Sequence, residues 1–288
     1  MLHIFEHALE HTVADTWGLL PFLFVTYLAM ELMEHYAGNK FNKIIRNSGK
    51  WGPFLGAILG VMPQCGFSAA AASFFSARII GVGTIIAVFL STSDEMLPIL
   101  VSEAVPITTI AKIVATKVVI ACASGYLASF VYQQFLQKKD GEMDIHLVCE
   151  EEQCSCEDGI IKSAVKHTVK IFIYIFIIAF VLNVVIEGVG EEALAQVFSN
   201  APVAGQMVAS LVGLIPNCAS SVVITQLYLK GVISVGMMMS GLLVNAGIGS
   251  IVLFRLNRNA KQNVGILTTV YCFGVVWGIL IDVLGIAF

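Results

Sequence analysis

From Ala193 to Ile281 the chain carries no Asp or Glu, and from Ile171 to Leu229 no Lys or Arg. Stretches this long without charge cannot coat a surface that faces water. The whole composition agrees: hydrophobic residues make up 57% and charged residues 12%, against about 45–50% and 25% in soluble domains. A soluble enzyme and a disordered chain are excluded on this ground. A nucleic-acid binder would need a basic face, and the net charge is -4. The reading is an all-α integral membrane protein whose first partner is the lipid bilayer. Residues 1–16 are acidic and His-rich, with no basic start and no early apolar core, so they are not read as a cleavable signal.

Spans of roughly 20 apolar residues are expected at Trp17 to Tyr36, within 52–101, over 107–136, from Ile171 to Ile186 onward, and at Val264 to Phe288. Residues 138–166 are the extended hydrophilic stretch. The segments on either side of it resemble each other. GVMPQCGFS runs from Gly60 to Ser68 and GLIPNCASS from Gly213 to Ser221, 153 residues apart, and Gly83 matches Gly236 at the same offset. His11-Thr12-Val13 matches His167-Thr168-Val169, and Glu31 matches Glu187, at an offset of 156. An ordered series of matches points to internal duplication. The expected organisation is a first repeat over 1–137 with an N-terminal amphipathic His-rich helix, a cytoplasmic acidic Cys/His linker over 138–166, and a second repeat over 167–288.

Charge sets the expected topology, because Lys- and Arg-rich loops stay inside. Lys40, Lys43, Arg46 and Lys50 place the 39–50 loop inside, whereas its counterpart carries Glu187, Glu191 and Glu192 and belongs outside. Arg255, Arg258 and Lys261 lie inside, and the region of Glu103 outside. These assignments agree if the halves are inverted, each with about five helical elements and an odd number of crossings. Between Lys50 and Glu103 that parity favours a re-entrant hairpin, 52–62 and 67–77, turning at Pro63-Gln64-Cys65-Gly66; a broken full span remains open. The second hairpin would turn at Pro216-Asn217-Cys218. Both termini then lie outside.

The paired Pro-x-Cys tips carry the strongest chemical signal. Proline breaks a helix, freeing carbonyls on one arm and N–H groups on the other. The carbonyls favour a cation and the N–H groups an anion or polar oxygen. Gln64, Cys65 and Ser68, with Asn217, Cys218 and Ser221, would add polar and soft ligands; the plain alternative is a pair of packing kinks. Asp94 and Glu95 lie deep in an apolar block, where a charge costs about 2.5–3.5 kcal/mol, so they are expected to face a cavity, with Asp94 toward the two tips; the equivalent place in the second half is Asn245-Ala246-Gly247, polar but uncharged. The alternative is two short helices with Asp94 as a cap. Glu31 and Lys117 are candidate proton-handling or supporting groups, with Lys117 paired to a carboxylate or touching an anionic substrate. His3, His7 and His11 share one helix face and could bind a metal, or simply line a surface helix. His146, Cys149, Cys154 and Cys156 could collect soft cations, or belong to a solvated acidic linker.

These features together resemble a ten-helix membrane family of heavy-metal exporters, also labelled manganese transporters and catalogued beside the arsenic permeases. The likeness rests on the length, the His-rich start (His3, His7, His11), the paired PQC and PNC motifs and the acidic Cys-bearing loop. It implies a transporter in the bacterial inner membrane and points to manganese or a similar metal. The buried acids, twin cysteines and His/Cys clusters lead to the same class: a secondary transporter exporting a divalent or heavy-metal cation against protons. No GxxxxGK[ST] motif is present, so direct ATP use is not expected. No resident cofactor is expected, Mn²⁺ being cargo, and a homodimer is allowed. The rival reading is a transporter of a small anion or organic solute using the helix N-termini. An enzyme would need a nucleophile–base pair, which neither Cys65 nor Cys218 has nearby in sequence.

Overall fold

The computed structural model describes residues 9–10, 12–13, 16–17, 20–21, 23–28, 51–62, 65–93, 96–135, 160–189 and 204–288. These residues are helical or in turns, with no strand among them. Among the described residues, eleven helices follow a helical stretch at 23–28: α1 Gly52–Leu59, α2 Cys65–Ser76, α3 Val82–Ser91, α4 Met96–Ser102, α5 Ile107–Phe135, α6 Ile160–Val189, α7 Gly205–Gly213, α8 Cys218–Leu229, α9 Val235–Val244, α10 Ile248–Leu256 and α11 Ala260–Val283. Among the described residues, five runs are long and apolar enough to cross a bilayer: Val82–Ser102, Ile107–Tyr132, Ala164–Val181, Val235–Leu256 and Ala260–Val283.

Local chemistry sets the boundaries. Pro53 stands in the first turn of α1, where its missing N–H costs nothing. Ser234 caps α9 by accepting from the Met237 N–H at 3.1 Å, and Asn259 caps α11 by accepting from Gln262 N–H at 3.2 Å. The helices begin again after Pro63 and Pro216, at Cys65 and Cys218. The run 82–102 is not one helix: α3 ends at Ser91 and α4 starts at Met96. Likewise α9 and α10 are separated at Asn245-Ala246-Gly247, where Gly247 has φ 52.

The interrupted runs lie inside. Within Val235–Leu256, 89% of the best window is buried, against 28% for Ala260–Val283. The outer helices α5, α6 and α11 instead expose apolar residues, among them Val119, Phe130, Ile173, Ile177, Val264 and Val276. Such an exposed belt is stable only against lipid. On α6, His167 is buried and its ring stacks on Tyr27 at 5.4 Å, and Tyr174 sits beneath the Arg255 guanidinium of α10 at 5.2 Å.

Packing recurs at the 153-residue spacing. Helix α1 packs on α3 as α7 does on α9, α3 on α5 as α9 on α11, and α2 on α10 as α8 on α4. The seams depend on missing side chains. A Cβ on Gly125 would lie 2.7 Å from the Gly83 carbonyl oxygen, and one on Gly278 would lie 2.6 Å from that of Gly236. Small residues let membrane helices approach this closely. The turns after α2 and α8 also correspond: Arg78 N–H donates to Phe75 and Ile79 N–H to Phe74, as Gly231 does to Tyr228 and Val232 to Leu227. Both turns need a left-handed residue, with φ 58 at Arg78 and φ 72 at Gly231.

Candidate functional site

Each half-helix of the centre is short. Helices α3 and α9 have 10 residues apiece, about 15 Å at 1.5 Å per residue, half of a hydrocarbon core of about 30 Å. A helix of that length that starts at the membrane surface would end near mid-depth, and the ends of both are buried in protein, the setting in which broken backbone is tolerated.

At the end of α3 the hydroxyls turn back on their own chain. Thr92 Oγ1 and Ser91 Oγ donate to the Val88 carbonyl at 2.8 and 3.1 Å, and Ser93 Oγ donates to Ser91 at 3.0 Å. At the end of α9, Asn245 Oδ1 accepts from the Gly247 N–H at 3.0 Å, and Ser250 Oγ donates to the Gly247 carbonyl at 2.9 Å. Ser91, Thr92, Ser93, Asn245 and Ser250 are all buried.

Close contacts draw the other breaks to these. The end of α1 meets the end of α3, since a Cβ on Gly60 would lie 2.7 Å from the Val88 carbonyl oxygen; the end of α7 meets α9 in the same way, since a Cβ on Gly213 would collide with the Gly241 carbonyl oxygen. Ser68, fully buried on α2, backs onto Gly249 at the start of α10, 2.7 Å from where a Cβ would stand. Asn217 and Ser221 are buried at the start of α8, and Ser220 Oγ donates to the Asn217 carbonyl at 2.8 Å.

Lys117 joins the two central helices. It is fully buried on α5 and its ammonium donates to the Thr92 carbonyl at 2.5 Å and to the Leu242 carbonyl at 3.1 Å. These carbonyls lie at the C-terminal ends of α3 and α9, where the helix dipole is negative. The sequence places a lysine at depth but gives no hint that main-chain oxygens from both segments would receive it.

Of the residues singled out from sequence, Ser68, Lys117, Asn217, Ser221 and Asn245 are buried around these breaks. Cys65 and Cys218 are the first residues of α2 and α8. Gln64, Asp94, Glu95, Glu31, His3, His7, His11, His146, Cys149, Cys154 and Cys156 lie outside the described residues. Among the described residues no three His, Cys, Asp or Glu side chains come together to hold a metal.

A second polar cluster went unread in the sequence. Asp282, on α11, accepts from Gln206 Nε2 and Ser234 Oγ, both at 2.7 Å, and from the Gly236 N–H at 2.8 Å. The available signal was its isolation: it is the only acid after Glu192.

Fold and site define an all-helical, multi-pass membrane protein with interrupted spans at its centre. A family model described as "Putative, 10TM heavy-metal exporter" matches residues 6–191, well over half of the chain, and the chain belongs to that family. No curated protein and no solved structure matches it.

Proposed function

We propose that the chain is a secondary transporter that exports a divalent or heavy-metal cation, manganese or a similar ion, in exchange for protons across a bacterial inner membrane. The observation that carries this reading is the convergence of interrupted helices on a buried polar set, in a member of a heavy-metal exporter family. Unwound backbone and half-helix ends at mid-depth are a recurrent way to bind ions in transporters. Ser68, Asn217, Ser221 and Asn245 would supply neutral oxygens, with Gln64, Cys65 and Cys218 at the tips. Asp94 and Glu95, which follow directly on Ser93, would supply the charge a divalent ion needs. Glu31 would relay a proton behind them. His3, His7 and His11, and His146, Cys149, Cys154 and Cys156, would gather metal at either side.

The architecture we infer is two inverted repeats, 1–137 and 167–288, with re-entrant hairpins at the Pro-x-Cys tips, a cytoplasmic 138–166 linker and both termini outside. The paired packing of α1–α5 and α7–α11 supports it. A small anion is the weaker alternative: the helix N-termini at α2 and α8 favour it, but the Lys117 ammonium is directed at carbonyl oxygens.

Proteoliposome uptake and efflux with Mn²⁺, Zn²⁺, Co²⁺, arsenite and phosphate tests the proposal. Saturable metal movement that responds to a pH gradient is expected. Saturable phosphate movement with no response to any metal would reverse the ranking.

A further inference from the structure

The seam of α7 and α9 against α11 has two polar layers, one helical turn apart. Residues four apart share a helix face, and α9 turns Gly236 and Ser240 toward Gly274, Gly278 and Asp282 of α11. A Cβ on Gly278 would lie 2.6 Å from the Gly236 carbonyl oxygen and would collide with Ser240 Oγ, and one on Gly274 would lie 3.0 Å from the Ser240 carbonyl oxygen. Helix α7 brings Gln206 and Ser210, also four apart, to the same seam. The layer at Asp282 is filled: Gln206 Nε2, Ser234 Oγ and the Gly236 N–H all donate to the carboxylate. The layer one turn further in is not. Ser240 is fully buried, yet its Oγ has no hydrogen-bond partner among the described residues, and Ser210 Oγ reaches the Ser240 carbonyl only at 3.4 Å.

We propose that α7 and α9 have a second register against α11, one turn along, in which Ser210 and Ser240 take the places of Gln206 and Gly236 beside Asp282. Three observations carry this. A buried polar atom without a partner is rare and calls for an explanation, and in the second register Ser240 Oγ would donate to the carboxylate. The first register is itself imperfect, with Gln206 Oε1 buried and unpaired among the described residues, which narrows the difference between the two. Next, the seam is built to slide. Small residues let membrane helices approach closely, and the glycines of α11 leave no side chain for Ser240 to climb over. Helix α9 is interrupted on both sides, by the turn at 231–234 and the break at 245–247. Helix α7 is joined to it, since a Cβ on Gly241 would lie 3.0 Å from the Ala209 carbonyl oxygen. One-turn shifts of packed elements are an established form of two-state motion. Finally, the corresponding seam in the first segment has Pro53, Ala57, Ala87 and Ser129 where this one has Gln206, Ser210, Ser240 and Asp282. Ala57 and Ala87 are fully buried, so packing at these positions does not call for hydroxyls. Asp282 serves both registers, and its loss costs stability in either; Ser240 serves only the second. The inference concerns the motion of the helices and holds whatever substrate is carried.

The test is pulsed electron–electron double resonance on the full chain in lipid nanodiscs. Spin labels carried on unnatural amino acids at Met207 of α7 and Val264 of α11, both exposed, leave the native cysteines in place. The shift moves α7 toward the C-terminal end of α11 and so lengthens this distance by about 5 Å, the rise of one turn. The wild type should show a main distance and a minor, longer one separated by that amount. Gln206→Ala, which removes a bond made only in the first register, should raise the longer population. Ser240→Ala should abolish the longer population and melt with the wild type, because its hydroxyl is unpaired in the first register. Should Gln206→Ala not fold, Gln206→Met, which keeps the length of the side chain, carries the same comparison. If neither folds, the wild type against Ser240→Ala decides, and a single distance in the wild type then counts against the proposal. One distance shared by the wild type and the Gln206 variant would overturn it. So would a longer population that survives Ser240→Ala, or a Ser240→Ala protein that melts clearly below the wild type.

Discussion

Replacing Asp282 should separate hydrogen-bond count from charge at the start of α9. The carboxylate accepts three hydrogen bonds, from Gln206 Nε2, Ser234 Oγ and the Gly236 N–H. A bond to a charged group contributes about 1.5–3 kcal/mol, but polar contacts between membrane helices average nearer 0.6, and Asp282 is half-buried. About 1 kcal/mol per bond is a reasonable mean, so Asp282→Ala should cost about 3 kcal/mol and lower the unfolding midpoint by about 5 °C. Asp282→Asn should be much milder, about 1 kcal/mol. Its amide oxygen can still accept from Gly236, and its amide nitrogen can donate to Gln206 Oε1, a buried oxygen with no partner among the described residues. Since α9 is 10 residues long, the cluster lies about 15 Å from the break at Asn245; the substrate concentration for half-maximal transport should not change. The assay is calorimetry or fluorescence-detected unfolding of both variants beside the wild type. If Asp282→Asn destabilises as much as Asp282→Ala, charge at the helix start outweighs the bonds and the reasoning fails. It fails also if Asp282→Ala costs less than 1 kcal/mol.

Four further outcomes are expected. Asp94→Asn should abolish metal flux in proteoliposomes while the protein inserts and folds normally; flux at the wild-type rate would remove this carboxylate from the site. Gly125→Ala forces a methyl to 2.7 Å from the Gly83 carbonyl and 2.8 Å from Ala87 Cβ, which should cost about 1–3 kcal/mol; at Gly265, where nothing stands within 4 Å, the same change should stabilise by up to about 1 kcal/mol. Arg78→Gly should stabilise by up to about 1 kcal/mol, because a left-handed non-glycine residue is held there at φ 58 at a cost of about 1–2 kcal/mol. In sealed cells, a membrane-impermeant thiol reagent applied outside should label neither Cys149 nor Cys154, and labelling of both would refute a cytoplasmic linker.

Much of the helix plan was legible because it is written in residues that act locally. Absent charge marks the apolar runs, Pro63 and Pro216 precede new helix starts at Cys65 and Cys218, and the polar run Ser91-Thr92-Ser93 coincides with a real helix end. The last span begins at Ala260 rather than Val264, since Asn259 caps it and Lys261 and Gln262 occupy its first turn; hydropathy passes over such polar residues. One reading of residues 79–103 is a pair of short helices, and the structure has two there, α3 and α4; Asp94 lies outside the described residues. What stayed hidden is tertiary. No local pattern says that Lys117 reaches an oxygen 125 residues away, or that Asp282 reaches back 76 residues to Gln206.

The hidden features share a character that bears on mechanism. Ser124 and Trp277 stand 153 residues apart, the spacing of the recurring motifs, and Trp277 Nε1 donates to Ser124 Oγ at 2.9 Å. Corresponding positions of the two segments thus touch each other, and the helix contacts of one segment recur in the other. The backbone seams at Gly83 and Gly125 repeat at Gly236 and Gly278, yet the charges do not repeat. Lys117 corresponds to Val270, Asp282 to Ser129, Asp94 to Gly247 and Arg78 to Gly231. If the two segments form an inverted pair, as proposed, the repeated seams and breaks would not by themselves distinguish one side of the membrane from the other. Unequal charges can do so: an ammonium on one segment that grips both central helices, and a carboxylate on the other that fixes only its own. Such unequal holds shift the balance between the two forms, each open to one side; the direction of net flux is set by the gradient. Of these departures, Lys117 stands at the central breaks and is where a mutation should alter transport, whereas Asp282 and Arg78 lie away from them and should act on stability.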